Sequence, residues 1–167
     1  MNKSEGKPAP LRRKVISIFS LALLLLVAVE VGIGWLLGSW GRFNPAWWSQ
    51  IIAVLLALGG IVLIGWSISI QYTLGKGTPF PKVATQQLIT SGPYAYTRNP
   101  MTLGAFLLYL GVAIGMGSIP VVLLVLIIFT ALLTFIYKHE TRELTERFGE
   151  EYLAYRKHTA FFIPRIR

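Results

Sequence analysis

Residues 100–137 read PMTLGAFLLYLGVAIGMGSIPVVLLVLIIFTALLTFIY, 38 residues without a single charge. A helix crossing a hydrocarbon core of about 30 Å needs about 20 apolar residues. This stretch holds two such segments, Pro100 to Gly117 and Ile119 to Tyr137, parted only by Ser118. Gly115, Gly117, Ser118 and Pro120 supply turn chemistry at the junction. The reading is therefore a tight hairpin of two membrane helices. Upstream lie Val15 to Leu37, with Glu30 as its one charge, and Trp47 to Ile70, with none. Four such runs in 167 residues leave too little polar sequence to cover them in water. Charged residues are 14% of the chain, against about 25% in soluble domains. Disorder is excluded, because disordered chains are poor in apolar residues and 54% here are hydrophobic. The predicted fold class is an all-α integral membrane protein. It has about four transmembrane helices, the last two a tight hairpin, followed by a cytoplasmic amphipathic C-terminal helix.

The basic residues give this arrangement a direction. The net charge is +9. Five cations precede Val15, one (Arg42) follows span one, three (Lys76, Lys82, Arg98) precede span three, and seven follow Tyr137. Fifteen of the sixteen thus fall on one predicted side. The positive-inside rule places both termini and the central loop in the cytoplasm of a cell that carries this protein in its inner or cell membrane. The basic excess is then a topology signal, and no nucleic-acid partner is expected. Trp40, Trp47 and Trp48 form an outer aromatic belt. Val15 to Leu37 is too long for a secretory signal and lacks a cleavage site, so it reads as a permanent span. The whole chain, 1–167, reads as a single domain: a basic tail at 1–14 and a catalytic half at 75–164. In the tail, Leu144, Phe148, Tyr152 and Tyr155 recur at helical spacing, and Glu143 to Arg147 is a favourable i, i+4 pair.

Several chemistries drop out. With no cysteine there is no disulfide, thiolate nucleophile or thiolate-bound zinc. The two histidines, His139 and His158, are not spaced for a metal, and no metal is expected. G-x-G begins at Gly32, Gly75 and Gly115, but the third glycine of a dinucleotide motif is Leu37, Phe80 or Pro120 instead.

The informative stretch is Ser91-Gly92-Pro93-Tyr94-Ala95-Tyr96-Thr97-Arg98-Asn99-Pro100-Met101-Thr102-Leu103-Gly104. Gly92-Pro93 makes a turn, and Pro100 suits the first turn of a helix. Arg98 sits at the mouth of span three, where free N–H groups favour a carboxylate. An ordinary interfacial anchor of Tyr and Arg would look similar.

This stretch resembles the G-P-Y-x-Y-x-R-[HN]-P motif of the isoprenylcysteine carboxyl methyltransferase and phospholipid methyltransferase superfamily. Glu140 to Tyr155 resembles that family's E-E-x-x-L-x-x-x-F-G-x-x-Y-x-x-Y, and Phe162-Ile163-Pro164 its closing segment. Gly75-Lys76-Gly77-Thr78-Pro79 is similar to the G-x-G-T-P of many prokaryotic members. The resemblance implies a membrane enzyme that moves a methyl group from S-adenosylmethionine to a lipophilic acceptor reaching it from the bilayer. It implies catalytic roles for Arg98 and Glu140: Arg98 holds a carboxylate or phosphate, Glu140 the cofactor's amino group. Cofactor contacts are implied for Tyr94, Tyr96, Arg98, Asn99, Pro100, Met101, Gly104, Tyr137, His139, Glu140, Phe161 and Phe162. For the aromatic residues, packing is an equal alternative, and Gly104 also suits close helix contact. Thr102 and Thr141 depart from the family's tyrosine and second glutamate.

A carboxylate acceptor needs no base, whereas a lipid amine must first lose a proton. The tail glutamates are the evident bases and Asn99 cannot serve. That favours an isoprenylcysteine-like carboxylate over a phospholipid or other lipid amine. An NADPH-dependent sterol-type reductase resembles the same region, and a four-span transporter is the non-catalytic alternative. Glu30 lies near the outer end of span one, far from the cytoplasmic motifs, so a protonated or hydrogen-bonded structural role is expected for it. Lipophilic or lipidated substrates and membrane lipids are the expected partners; the oligomeric state is left open.

Overall fold

The computed structural model describes residues 9–37, 40–74 and 87–164, without the side chains of 9–20, 22–23 and 140. The G-x-G-T-P stretch, with Lys76 and Lys82, lies outside the described residues, as does the start of the N-terminal tail. Four α-helices follow in order: α1 (Ala9–Leu36), α2 (Trp47–Thr73), α3 (Pro100–Gly115) and α4 (Ile119–His158). A 3-10 turn, Gly92–Ala95, precedes α3. No extended sheet forms among the described residues; two isolated bridges pair Arg42 with Ser118 and Thr97 with Ala160.

The hairpin forms where the turn chemistry puts it. α3 ends at Gly115, Gly117 takes a left-handed φ of 64°, and Pro120 enters the first turn of α4. The α1–α2 loop is stitched to this turn: Phe43 N–H donates to Gly117 O at 2.9 Å and Ile119 N–H to Gly41 O at 3.1 Å. The loop after α1 and the hairpin thus occupy one end of the bundle. The 92–99 loop and the closing tail occupy the other.

α2 and the Ile119–His139 part of α4 are long and apolar enough to span by themselves. Only 22% and 17% of their apolar windows are buried within the chain, so the rest must face lipid rather than water. α3 has 16 residues, roughly 24 Å, and is shorter than the bilayer core. It compensates by position, because it touches all three other helices. Its tightest seam is with α2. A side chain at Gly104 would meet Gly60 O at 2.8 Å, and one at Gly111 would meet Ala53 O at 2.6 Å. Small residues let the backbones approach, the usual basis of helix packing in lipid. On α3's other side, Tyr109, Ala113, Val121, Val125 and Phe129 form the core with α4.

The amphipathic C-terminal segment follows span four without a loop, inside the 40 residues of α4, which is two helices joined across a kink. Its direction alters at Gly149, where φ 52° and ψ −127° suit glycine alone. Beyond that break the chain turns so that Tyr152 and Tyr155 meet the 92–99 loop.

Candidate active site

The 92–99 loop is held on both sides. Pro93, with φ preset, opens the 3-10 turn, and Tyr94 is buried behind it. Gln71, near the end of α2, donates from Nε2 to the Tyr94 hydroxyl at 2.6 Å. From the tail, the Tyr155 hydroxyl donates to Tyr94 O at 2.6 Å. Arg98 N–H donates to Ala160 O at 2.8 Å. The Phe161 carbonyl accepts twice, from Thr97 Oγ1 at 3.2 Å and Asn99 Nδ2 at 3.1 Å. The bonds to the tail join segments some sixty residues apart. Each is worth about 1 kcal/mol net, and losing one partner of a buried pair costs more.

Arg98 is the centre of the clasp. Its Nη1 donates to the Tyr152 hydroxyl at 2.9 Å, and its guanidinium lies 5.3 Å over the Phe161 ring. Tyr152 is 2% exposed. Arg98 Nε is buried without a hydrogen-bond partner among the described residues, and so is Gln71 Oε1. A donor and an acceptor are thus left over in one lining.

Two cavities meet there, sharing Gln71, Tyr94, Arg98 and Asn99. The smaller, about 90 Å³, lies under the tail against Thr141, Tyr152, Tyr155 and Phe161. The larger, about 680 Å³, runs between α1, α3 and α4 with a mostly apolar lining. Leu26 and Val29 of α1 and Ile128 and Leu132 of α4 line it and are also exposed. The cavity therefore opens sideways between α1 and α4.

Glu30 lies in this same lining, 6% exposed. It lies toward the outer end of α1, yet one cavity lining holds both it and Arg98. An acidic residue at the centre of a membrane helix costs about 3 kcal/mol on insertion scales, which marks Glu30 as needing explanation. Tyr109 lines the same cavity.

The remaining candidates separate into groups. Tyr94, Arg98, Asn99, Pro100 and Met101 line the large cavity, and Thr102 does too. Phe161 lines the small one. Phe162 packs edge-on against Phe106 at 5.8 Å. Gly104 is in the α2 seam, facing away from both cavities' linings. Tyr96 is exposed and lines neither cavity. Tyr137 meets the Phe161 ring edge-on at 5.2 Å and accepts from Arg156 at 3.2 Å. His139 is exposed and stacks on Phe135. Glu140 belongs to α4, but its side chain lies outside the described residues. Three residues join the site that sequence reasoning had not assigned to it: Gln71, Tyr152 and Tyr155. The two tyrosines stand in the tail motif, which was the available signal. Gln71, a polar side chain at the end of an apolar run, had only that oddity to mark it.

Fold and site together define a helical membrane protein with a clasped polar mouth on a lipid-facing cavity. The phospholipid methyltransferase family model, PEMT, matches residues 48–151, from the start of α2 past the break in α4. The chain belongs to that family. A solved structure of similar fold is the eukaryotic intramembrane Ras methyltransferase ICMT, isoprenylcysteine carboxyl methyltransferase, determined without a monobody. It shares 19% identity at a TM-score of 0.59, over 99% of this chain and 55% of that one. The chain thus spans about half the length of that protein. No curated protein sequence matches it.

Proposed function

We propose that this protein transfers a methyl group from S-adenosylmethionine to a lipid-soluble acceptor. The observation that carries this reading is the large cavity, polar at its Arg98 mouth, apolar along its length and open toward the bilayer. The cofactor's amino-acid end carries one carboxylate and one ammonium. The leftover Arg98 Nε and Gln71 Oε1 are a donor and an acceptor of matching kind. The residues present therefore fit that group. Glu140 is the further amino-group ligand that the family resemblance implies. Met101 and the Phe161 ring offer apolar surface beside them.

When bound, the cofactor supplies a methyl carbon activated by its sulfonium. The protein's own task is to orient two reactants and exclude water. Arg98 fixes a carboxylate with its planar fork. Asn99, Thr97 and Tyr155 keep the tail closed over the mouth. The apolar walls of α1 and α4 admit a hydrocarbon chain from the side.

Two acceptor classes fit this scheme. An isoprenylcysteine-like carboxylate is ionised already and suits the Arg98 mouth. A phospholipid or other lipid amine is the second reading, and Glu30 favours it by placing an acidic group in the lining of the same cavity. In either case we read the helices as a multi-pass bundle with both termini and the clasp in the cytoplasm, where the cofactor is made.

Purified protein in lipid nanodiscs, given methyl-labelled S-adenosylmethionine and a panel of prenylcysteines and amino-phospholipids, tests this. Label in the lipid fraction is expected. No cofactor binding and no labelled acceptor would overturn it, and a thermal shift with NADPH alone would turn the reading to a reductase.

A further inference from the structure

Glu30 is the one acidic side chain in the described parts of the spans, and it is turned inward. Neither carboxyl oxygen has a hydrogen-bond partner among the described residues, although the side chain is more than nine-tenths buried. It is also not the partner of Arg98. One turn further along α1, Gly34 packs on the side chains of Met116 and Val121 near the hairpin. That sets Glu30 level with Tyr109 and Val125, which line the cavity with it. Tyr109 lies nine residues past Pro100, roughly 13 Å along α3. The ion pairs among the described residues are both on α4. Glu30 therefore faces an apolar space of about 680 Å³ with its polar atoms unspent.

A buried group of this kind selects its ligand by the penalty for leaving it alone. An unbranched hydrocarbon chain in the cavity would cover Glu30 without satisfying it. A chain carrying an ammonium at that depth would form a charge-assisted hydrogen bond in a low-dielectric surrounding, where such bonds are strongest. Arg98 at the mouth repels the same cation, so the two ends sort a ligand's charges along the cavity.

We propose that the Glu30 carboxyl is a specificity-determining binding group at the hairpin-side end of the cavity, taking the ammonium of a lipid-soluble amine. The proposal rests on the reading of this cavity as the acceptor site, but its test does not use methyl transfer. Dodecylamine and dodecanol, matched in chain length, are titrated against the protein in nanodiscs. Wild type binds the amine at least tenfold more tightly than the alcohol. Glu30→Gln brings the two within about twofold while leaving the alcohol's affinity and that of S-adenosylmethionine unchanged, which also reports an intact fold. On unaltered protein, dodecylamine slows modification of Glu30 by a hydrophobic carbodiimide, read by mass spectrometry, and dodecanol does not. Equal affinity for amine and alcohol in wild type, or a tenfold preference that survives Glu30→Gln, overturns the proposal. So does equal labelling of Glu30 with and without the amine. If no acceptor is methylated while these differences hold, the methyltransferase reading fails and the amine site stands.

Discussion

The two ends of the large cavity are built on opposite principles. At the mouth, Arg98, Asn99, Thr97 and Tyr94 are each bonded to a residue from another part of the chain, and only Arg98 Nε and Gln71 Oε1 remain over. At the hairpin side a single carboxyl stands beside Tyr109 and mostly apolar side chains, both its oxygens without a hydrogen-bond partner among the described residues. The mouth is a polar network, rigid because its members satisfy one another. The far end has no network and depends on whatever enters. Position in such a molecule is thus set at one end and selection at the other, and mutations should separate the two.

The largest effect is expected at the centre of the mouth. Arg98→Ala removes the guanidinium that meets Tyr152 and the Phe161 ring, and lowers the methyl-transfer rate by roughly 100-fold or more, the scale of losing one organised charge-stabilising donor. Arg98→Lys restores little of it, because an ammonium lacks the planar fork. The check is the labelled-methyl rate with whichever panel acceptor wild type uses. A loss below threefold would remove Arg98 from the chemistry and leave it an anchor.

Next comes the clasp itself. Asn99→Ala deprives the Phe161 carbonyl of one donor and costs about 1–2 kcal/mol. Opening of the tail should rise about tenfold, read as faster tryptic cleavage at Arg156 and Lys157 in the native protein. Glu30→Gln should leave that cleavage rate unchanged. If both variants loosen the tail equally, the two ends are not independent. Tyr155→Phe keeps the ring and loses only the donor to Tyr94 O, so the same assay should register about 1 kcal/mol, a smaller rise.

Much of the mouth was legible because its signals are local. Gly92-Pro93 declares a turn, Pro100 a helix start, and the charge-free stretch around Gly115 to Pro120 a hairpin. What escaped depends on non-local geometry. Tyr152 and Tyr155 read as one stripe of a straight helix. They reach the loop because Gly149 adopts a left-handed φ, a break that the lone glycine permits but does not by itself require. That Glu30 shares a cavity lining with Arg98 depends on which faces of α1 and α3 pack together, and the sequence does not show that. The short α3 is likewise explained by its place among three neighbours, which apolar length alone does not reveal.

The smallest effect tests whether the clasp or the mere presence of polar contacts matters. α4 carries two exposed i, i+4 ion pairs before its break, Arg142 with Glu146 at 2.9 Å and Arg147 with Glu143 at 3.2 Å. They are as short as several clasp bonds, yet they join residues one turn apart on the same helix and remain in water. Solvent screens such pairs, and their two ends are already held together by the helix, so little is gained when they form. Glu143→Gln should therefore leave the tryptic cleavage rate at Arg156 and Lys157 and the methyl-transfer rate within experimental error of wild type. The clasp differs by linking α2, the 92–99 loop and the tail across long chain distance, out of water. If Glu143→Gln loosened the tail as much as Tyr155→Phe, the bend at Gly149 would be held by the exposed helix face, and the mouth would owe its shape to α4 alone.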